Sequence, residues 1–191
     1  MILTSKKVRF SVAEYFRMSE AGVFDDRRVE LLDGRIVQMH AQSNPHMAAV
    51  TKCMIVLNRH FNDAKKFWLI VQGTYRVEPY DATEPDFFLY DVPVGTPDDE
   101  LPRPSLVIEV AQSSYKRDSG IKLRRYAAAG VQDYWIVNIP ARRIEVHRGP
   151  ENPTGRKADW RFATVKHFGI GSKVKLLAHP KVEIPVGEML P

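Results

Sequence analysis

Three pieces of sequence decide the fold: Glu84-Pro85-Asp86, the apolar run Leu106-Val107-Ile108-Glu109-Val110-Ala111, and the basic segment KRDSGIKLRR at residues 116–125. Residues 87–89 after Asp86, and the run around Glu109, predict short buried strands. Brief β-rich runs near prolines suit a covered sheet better than a helix. Two carboxylates therefore sit in or beside predicted buried strands.

Burial of an unpaired carboxylate is costly, so Asp86 and Glu109 need a partner or an exit to solvent. They either point out at a strand end, meet cations, or hold a metal. We favour the metal, since magnesium usually keeps several waters beside one or two carboxylates and substrate phosphate oxygens. Lys122 is the candidate for an ammonium that adds positive charge beside a phosphate or orients the nucleophile.

The composition predicts one domain. The chain has 191 residues, of which 44% are hydrophobic and 27% charged, and it is long enough to enclose a substantial core. Its apolar runs are too short to cross a bilayer, so no membrane association is expected. The segment Met1-Ile2-Leu3-Thr4-Ser5-Lys6-Lys7 lacks the apolar region of a secretory signal, which favours a cytoplasmic location.

Charge and cysteine content exclude some classes of function and favour others. Cys53 is the single cysteine, which excludes an intrachain disulfide and a cysteine-rich zinc site, and it falls in a helical apolar pattern where it is expected to pack. The net charge of +5 favours polyanionic partners only modestly, because 28 basic residues face 23 acidic ones. No nucleophile elbow, P-loop, dinucleotide glycine motif or paired-histidine zinc motif is present, so no organic cofactor is expected.

The N-terminal part predicts a helix and a hairpin. Ser11 and Glu14 fit a capping box at the start of a helix over 12–21. Asp33-Gly34 separates residues 28–32 from 35–40 and tolerates the positive φ angles of a tight hairpin turn. The hairpin carries Glu30, which faces either a cleft or solvent, and an exposed strand glutamate is the commoner case.

A long core helix is predicted next. Asn44-Pro45 resembles a helix cap followed by proline at the first helical position, and the helix is expected to reach about Asn62. The apolar residues that recur at helical spacing are Met47, Val50, Met54, Leu57 and Phe61. His46 falls in the first turn, where a capping or surface role is commoner than ligation.

The second half predicts strands around one more helix. That helix starts at Asp118 or Ser119 and ends at Gly130, which puts Lys122, Arg125 and Tyr126 on one face. The predicted strands cover residues 67–77 with a break at Gly73, then 133–139, 142–148, 160–167 and 173–177. The order of elements predicts an α/β (α+β) fold with a mixed central β-sheet flanked by helices. The Glu109 strand, this helix and the next strand form a plausible right-handed βαβ crossover.

The order of the short motifs resembles one family. The motifs are Val29-Glu30-Leu31-Leu32-Asp33-Gly34, His46, Glu84-Pro85-Asp86, Val107-Ile108-Glu109-Val110, Asp118 with Lys122, and Gly130-Val131-Gln132-Asp133-Tyr134-Trp135-Ile136-Val137. Together they resemble the Uma-type restriction endonuclease family, a branch of the PD-(D/E)xK nuclease superfamily. The resemblance covers about residues 12–148.

The resemblance implies a restriction-endonuclease-like domain over 1–191, with a core at about 12–148, an N-terminal hairpin and a β-rich C-terminal extension at 149–191. It implies a Mg²⁺-dependent endonuclease that hydrolyses DNA phosphodiester bonds, with Mn²⁺ as an alternative ion, and a homodimer. The implied metal ligands are Asp86 and Glu109, and Glu30 is an additional acid. His46 is implied to lie near the site, where Tyr126 is a further accessory residue.

The sequence departs from the superfamily pattern at the lysine. That lysine usually stands two residues after the second acid, where this chain has Ala111. The family branch places it on the following helix, and Lys122 matches that location. Gln112-Ser113-Ser114 replaces the usual serine and proline, and Asn138 stands where aspartate is common.

Two other functions are compatible with the same residues. A non-catalytic, dimeric nucleic-acid-binding scaffold would contact phosphates through four basic residues, with affinity that falls steeply with salt: Arg117, Lys122, Arg124 and Arg125. A hydrolase of small phosphate esters would share the metal chemistry without a long basic groove.

Overall fold

The computed structural model describes residues 8–191; residues 1–7, on which the expectation of no secretory signal rests, lie outside the described residues. The described chain forms two compact units. Unit 1 contains residues 8–41 and Thr74–Glu84, and unit 2 contains Gln42–Gly73 and Pro85–Pro191. One nuclease-like domain over residues 1–191 stays a prediction.

The helices and strands follow one another along the chain in the order α1 (Val12–Glu20), β1 (Val29–Leu32), β2 (Arg35–Gln38), α2 (Asn44–Asn58), β3 (Trp68–Val71), β4 (Tyr75–Val77), β5 (Asp81–Thr83), β6 (Phe87–Tyr90), β7 (Leu106–Ala111), α3 (Tyr115–Arg117), α4 (Leu123–Ala128), β8 (Asp133–Asn138), β9 (Arg143–Glu151), β10 (Arg161–Gly169), β11 (Lys173–Lys175), β12 (Glu183–Pro185) and α5 (Val186–Met189). Residues Asp118–Lys122 form a π-helical turn between α3 and α4. Short 3₁₀ turns cover Asp98–Glu100 and Lys157–Asp159.

Unit 1 contains the predicted capping box and hairpin, and both are confirmed. Ser11 and Glu14 bond reciprocally at the start of α1, with Ser11 N–H 2.8 Å from Glu14 Oε2. Asp33 and Gly34 adopt φ angles of 51° and 72°, the pair of positive values that a two-residue turn between twisted strands requires. The unit's four strands pair in the order β2-β1-β5-β4.

Unit 2 is built on a mixed sheet of six strands in the order β10-β9-β8-β7-β6-β3. β7 and β8 are parallel, while the other neighbouring pairs are antiparallel. The parallel pair is joined by the helical residues 115–128, as the sequence predicted. The mixed central sheet with flanking helices is therefore confirmed, and β10 to β12 lie in the C-terminal β extension predicted for residues 149–191.

One face of this sheet packs on the apolar core. The α2 residues Ala49, Cys53, Val56 and Leu57 pack there, in one cluster with Trp135 and other sheet residues and with α5. The burial expected of Cys53 is confirmed. The inward orientation expected of two α2 methionines is wrong, since Met47 and Met54 are 45% and 42% exposed. The small side chains of Ala49 and Cys53 let α2 lie close to the sheet along the side of the helix that carries them. Met47 and Met54 lie beside this side and stay exposed.

The cap predicted for α2 is displaced by one residue. Ser43 is the N-cap, and its hydroxyl accepts a hydrogen bond from His46 N–H at 3.4 Å. Asn44 is already helical, because serine caps as well as asparagine does and the following proline tolerates a first-turn position. The helix ends at Asn58, earlier than the expected Asn62.

The opposite face of the sheet is covered by the helical residues 115–128. This segment begins at Tyr115, three residues before the expected Asp118, since Asp118 N–H already donates to Ser114 O at 3.1 Å. Gly130 follows the segment with φ 77°, the conformation that favours glycine after a helix. The π-helical turn places Asp118 and Lys122 on the side of the helix that is buried. No helix in residues 8–191 has the length and apolar character needed to cross a membrane.

Candidate active site

Two carboxylates lie side by side at the polar face of the unit 2 sheet. Phe87 pairs with Ile108 across β6 and β7, so the antiparallel register sets Asp86 next to Glu109. Asp86 Oδ2 accepts a hydrogen bond from Val110 N–H at 2.7 Å, which holds its side chain over β7. Asp86 is 7% exposed and Glu109 is 3% exposed.

Lys122 and Tyr126 both bond to Glu109. Lys122 Nζ lies 2.9 Å from Glu109 Oε1, and the Tyr126 hydroxyl donates to the same oxygen at 2.7 Å. Lys122 is itself buried. Residues four apart share one side of a helix, and here that side is turned toward β7. The structure thus brings Asp86, Glu109, Lys122 and Tyr126 together.

A third buried acid, Asp118, belongs to the same cluster; its sequence context predicted a helix start and a place beside Lys122 among the family motifs, but no role in the site. Burial raises its pKa, an effect opposed by Lys122, by a bond from Ser114 and by Arg117. Asp118 is 1% exposed, and Arg117 Nε lies 4.0 Å from its Oδ1. The signal in the sequence was its spacing of four residues from Lys122, which places both side chains on one side of a helix.

The three carboxylates interact unfavourably with one another. Burial raises the pKa of Glu109 well above its usual range, Lys122 opposes the shift, and the charges of Asp118 and Asp86 add to it. Such a cluster is stabilised by protons or by a bound cation.

His46 and Gln72 flank Asp86. His46 Nε2 lies 3.5 Å from Asp86 Oδ2, and Gln72 Nε2 donates to Asp86 Oδ1 at 3.3 Å. The first turn of α2 therefore directs the His46 ring to the acid, although a capping or surface role was the commoner expectation for that position. The sequence did not predict Gln72 as a site residue, because it belongs to no recognisable motif.

Glu30 belongs to unit 1. It lies on β1 opposite Val37 and is fully buried, so the expectation of an exposed strand glutamate is wrong. Burial raises the pKa of Tyr15, and the charges of Glu84 and Glu30 add to that shift.

The three arginines predicted to contact nucleic acid lie on the helical residues 115–128. Arg124 is exposed, and Arg117 and Arg125 are partly buried. The Arg117 guanidinium points toward Asp118, as described above. Arg124 is thus the most accessible of the three to a phosphate.

Another buried carboxylate on the same sheet face, Glu145, has a different environment. It accepts hydrogen bonds from Asn138 Nδ2 at 2.9 Å, Arg143 Nη2 at 2.8 Å and the Tyr115 hydroxyl at 3.1 Å. These donors link β8 and β9 to the start of the helical segment. The fold itself therefore satisfies the Glu145 carboxylate.

The acids fit a magnesium ion only in part. Among residues 8–191, no group of three or more histidine, cysteine, aspartate or glutamate side chains is arranged to hold a metal. Asp86 and Glu109 supply the two carboxylates with which magnesium is commonly bound, and waters and substrate phosphates complete such sites. These two residues would hold the ion.

Comparison with known proteins supplies the family. The chain resembles the solved structure of a putative nuclease from Anabaena variabilis at a TM-score of 0.69 and 14% identity, over 94% of this chain and 97% of that one. No curated protein sequence matches it. A family model described as "Putative restriction endonuclease" matches residues 12–183. The protein whose acids and lysine meet on this sheet therefore belongs to the Uma2 family of putative restriction endonucleases.

Proposed function

We propose that the protein is a metal-dependent endonuclease that hydrolyses DNA phosphodiester bonds. Family membership supports a nuclease acting on nucleic acid. The single observation that carries the finer proposal is the buried contact of Lys122 with Glu109, 2.9 Å long, beside Asp86. Carboxylates and an ammonium at one place suit a reaction in which charge builds on a phosphate.

The proposed roles follow from these positions. Asp86 and Glu109 bind the ion, Mg²⁺ in the first instance and Mn²⁺ as an alternative. A divalent ion in such a site stabilises charge on the phosphate and lowers the pKa of a bound water. Tyr126 and Lys122 fix the orientation of the Glu109 carboxylate, and Lys122 offers its ammonium to the phosphate.

Three further assignments belong to the same proposal. His46 positions Asp86, to which its ring is close. Glu30 acts as an additional acid, and Arg117, Arg124 and Arg125 contact the DNA backbone. A homodimer and a cytoplasmic location stay predictions.

Nicking of supercoiled plasmid by the purified protein with and without Mg²⁺ tests the proposal. Asp86→Ala, Glu109→Ala and Lys122→Ala are each expected to abolish cation-dependent nicking. Asp91→Ala and Lys116→Ala are the matched controls. Asp91 follows the other end of β6, and Lys116 is an exposed lysine of the same helical segment, so both should nick at the wild-type rate. Wild-type nicking by all three site variants would refute the assignment.

A non-catalytic nucleic-acid-binding protein is the second candidate. The lack of a three-residue metal cluster within the described part of the chain favours it. DNA binding that does not respond to Mg²⁺, without any nicking, would support this alternative. Turnover of a small phosphodiester without DNA cleavage would instead indicate a hydrolase of small phosphate esters.

A further inference from the structure

A groove of about 430 Å³ lies beside the helical segment in unit 2. Its lining includes Gly120 and Arg124 of the helical segment, together with Trp160 and Arg161 at the start of β10. Gly120 is two residues from Lys122, so the groove borders the segment that carries the candidate active site. None of the site carboxylates lines it.

Both arginines are available to an anion. Arg124 is exposed and makes no hydrogen bond or ion pair with any residue of the described chain. The side chain of Arg161 is 61% exposed, and its Nε donates to Glu151 Oε1 at 2.7 Å, which orients the guanidinium. Asp159 also lines the groove, but its carboxylate accepts a hydrogen bond from Thr154 of the same loop. Guanidinium groups bind phosphate through parallel N–H bonds.

The groove also offers an aromatic surface and free space. Trp160 is partly exposed in its wall, and an indole ring is a stacking surface for nucleobases. A Cβ added at Gly120 would meet no heavy atom within 4 Å, so the lining is open at this residue.

We propose that this groove binds one unpaired nucleotide of a nucleic-acid strand, with its base against Trp160 and a flanking phosphate at Arg124 and Arg161. The base must be unpaired, because a base inside a duplex has no free face to stack on a side chain. The proposal rests on the nucleic-acid substrate of the proposed function. The groove would hold one unpaired nucleotide of that substrate beside the candidate active site.

Fluorescence anisotropy with two labelled probes in EDTA tests the proposal. One probe is a short oligothymidylate, and the other is an abasic strand of the same length. Trp160→Ala is expected to weaken oligothymidylate binding about 10-fold, and abasic binding by less than about 2-fold, because only the first probe carries bases. Trp160→Phe should restore most of the affinity. Arg124→Gln and Arg161→Gln should weaken both probes alike.

A groove-filling variant gives an independent test that leaves Trp160 in place. Gly120→Leu is expected to weaken oligothymidylate binding about 10-fold by occupying the space for the base. Gly169→Leu is its control, because a Cβ at Gly169 also meets open space but lies outside the groove. Circular dichroism and thermal melting of each variant establish that it is folded.

The outcomes separate this inference from the proposed function. If folded Trp160→Ala and Gly120→Leu both bind oligothymidylate like wild type while the wild type nicks plasmid, the groove assignment is wrong and the nuclease stands. Equal loss of both probes in Trp160→Ala refutes base stacking. Trp160-dependent binding in a protein that never nicks supports the groove and overturns the nuclease. A wild type that neither binds nor nicks overturns both.

Discussion

Lys122 Nζ lies 2.9 Å from Glu109 Oε1 in the interior of unit 2, where both side chains are almost fully buried. The pair joins a helix to a central strand, so it fixes the helical segment on the sheet and orients the carboxylate at once. Such a pair gives little net stability compared with apolar packing, yet removal of one partner leaves the other charge buried. The presence of this pair therefore says more about the chemistry of the site than about how stable the fold is.

Lys122→Met is expected to lower the free energy of unfolding by about 3–5 kcal/mol, because Glu109 loses its ammonium partner in a buried place. Urea unfolding at neutral pH measures the change. The double variant Lys122→Met with Glu109→Gln should regain part of the lost free energy of unfolding, because neither residue of the pair then carries a buried charge. Lys116→Met, at an exposed position, should lie within about 0.5 kcal/mol of wild type. Equal stability of Lys122→Met and wild type would contradict the prediction.

A divalent cation is expected to stabilise the folded protein by offsetting the repulsion among Asp86, Glu109 and Asp118. At 100 times its dissociation constant, an ion that binds only the folded state adds about 2.7 kcal/mol. Thermal melting with Mn²⁺ or Mg²⁺, against EDTA, measures the effect. Asp86→Asn should lose the upward shift, whereas Asp91→Asn should keep it. A shift that survives in Asp86→Asn would place the ion elsewhere.

His147 is expected to make the protein less stable at mildly acidic pH. Its ring packs against Tyr134 and Phe162, at centroid distances of 5.6 and 5.9 Å. Burial lowers the pKa of His147 from 6.5 to about 4, while Glu145 acts in the opposite direction and His167 adds to the lowering. The folded state thus binds this proton less readily than the unfolded state. Its contribution is complete above pH 6.5 and is lost as the pH falls toward 4.

His147→Phe tests that prediction, because it keeps an aromatic ring and removes the titration. The full contribution of the group between pH 6.5 and 4 is about 3 kcal/mol. Unfolding free energies at a series of pH values should therefore fall more steeply for wild type than for His147→Phe. His60→Phe, at an exposed histidine, should follow the wild-type slope. Parallel curves for wild type and His147→Phe would show that the ring nitrogen does not titrate as described.

Asp133 is expected to act in folding and not in catalysis. Its fully buried carboxylate accepts bonds from Arg148 Nε at 2.7 Å, Trp135 Nε1 at 2.8 Å and Leu177 N–H at 2.8 Å. Asp133→Ala should cost about 3–5 kcal/mol, because Arg148 loses its carboxylate while Trp135 Nε1–H and Leu177 N–H lose their acceptor. Any folded fraction, measured by circular dichroism, should nick plasmid at the wild-type rate per folded molecule. A catalytic loss in excess of the folding loss would contradict this role.

The sequence was informative wherever a local rule decides the structure. The Asp33-Gly34 pair, the Ser11 capping box and Gly130 each depend on the φ angles or hydrogen bonds of a few adjacent residues, and all three lie where predicted. The strands around Asp86 and Glu109 were equally evident, because apolar runs of that length favour a covered sheet. Local rules failed for Met47 and Met54, since helical spacing alone does not say which strip of an apolar helix packs inward.

By itself the sequence determined most of the elements, their order and the family to which their motifs belong. Only the tertiary structure decided which charges meet: Asp86 beside Glu109, Lys122 and Tyr126 on a single Glu109 oxygen, and Asp118 buried with them. The reason is that strand register and the phase of a helix determine which side chains share a face. Both are set by packing between segments far apart in the chain, which no local pattern encodes.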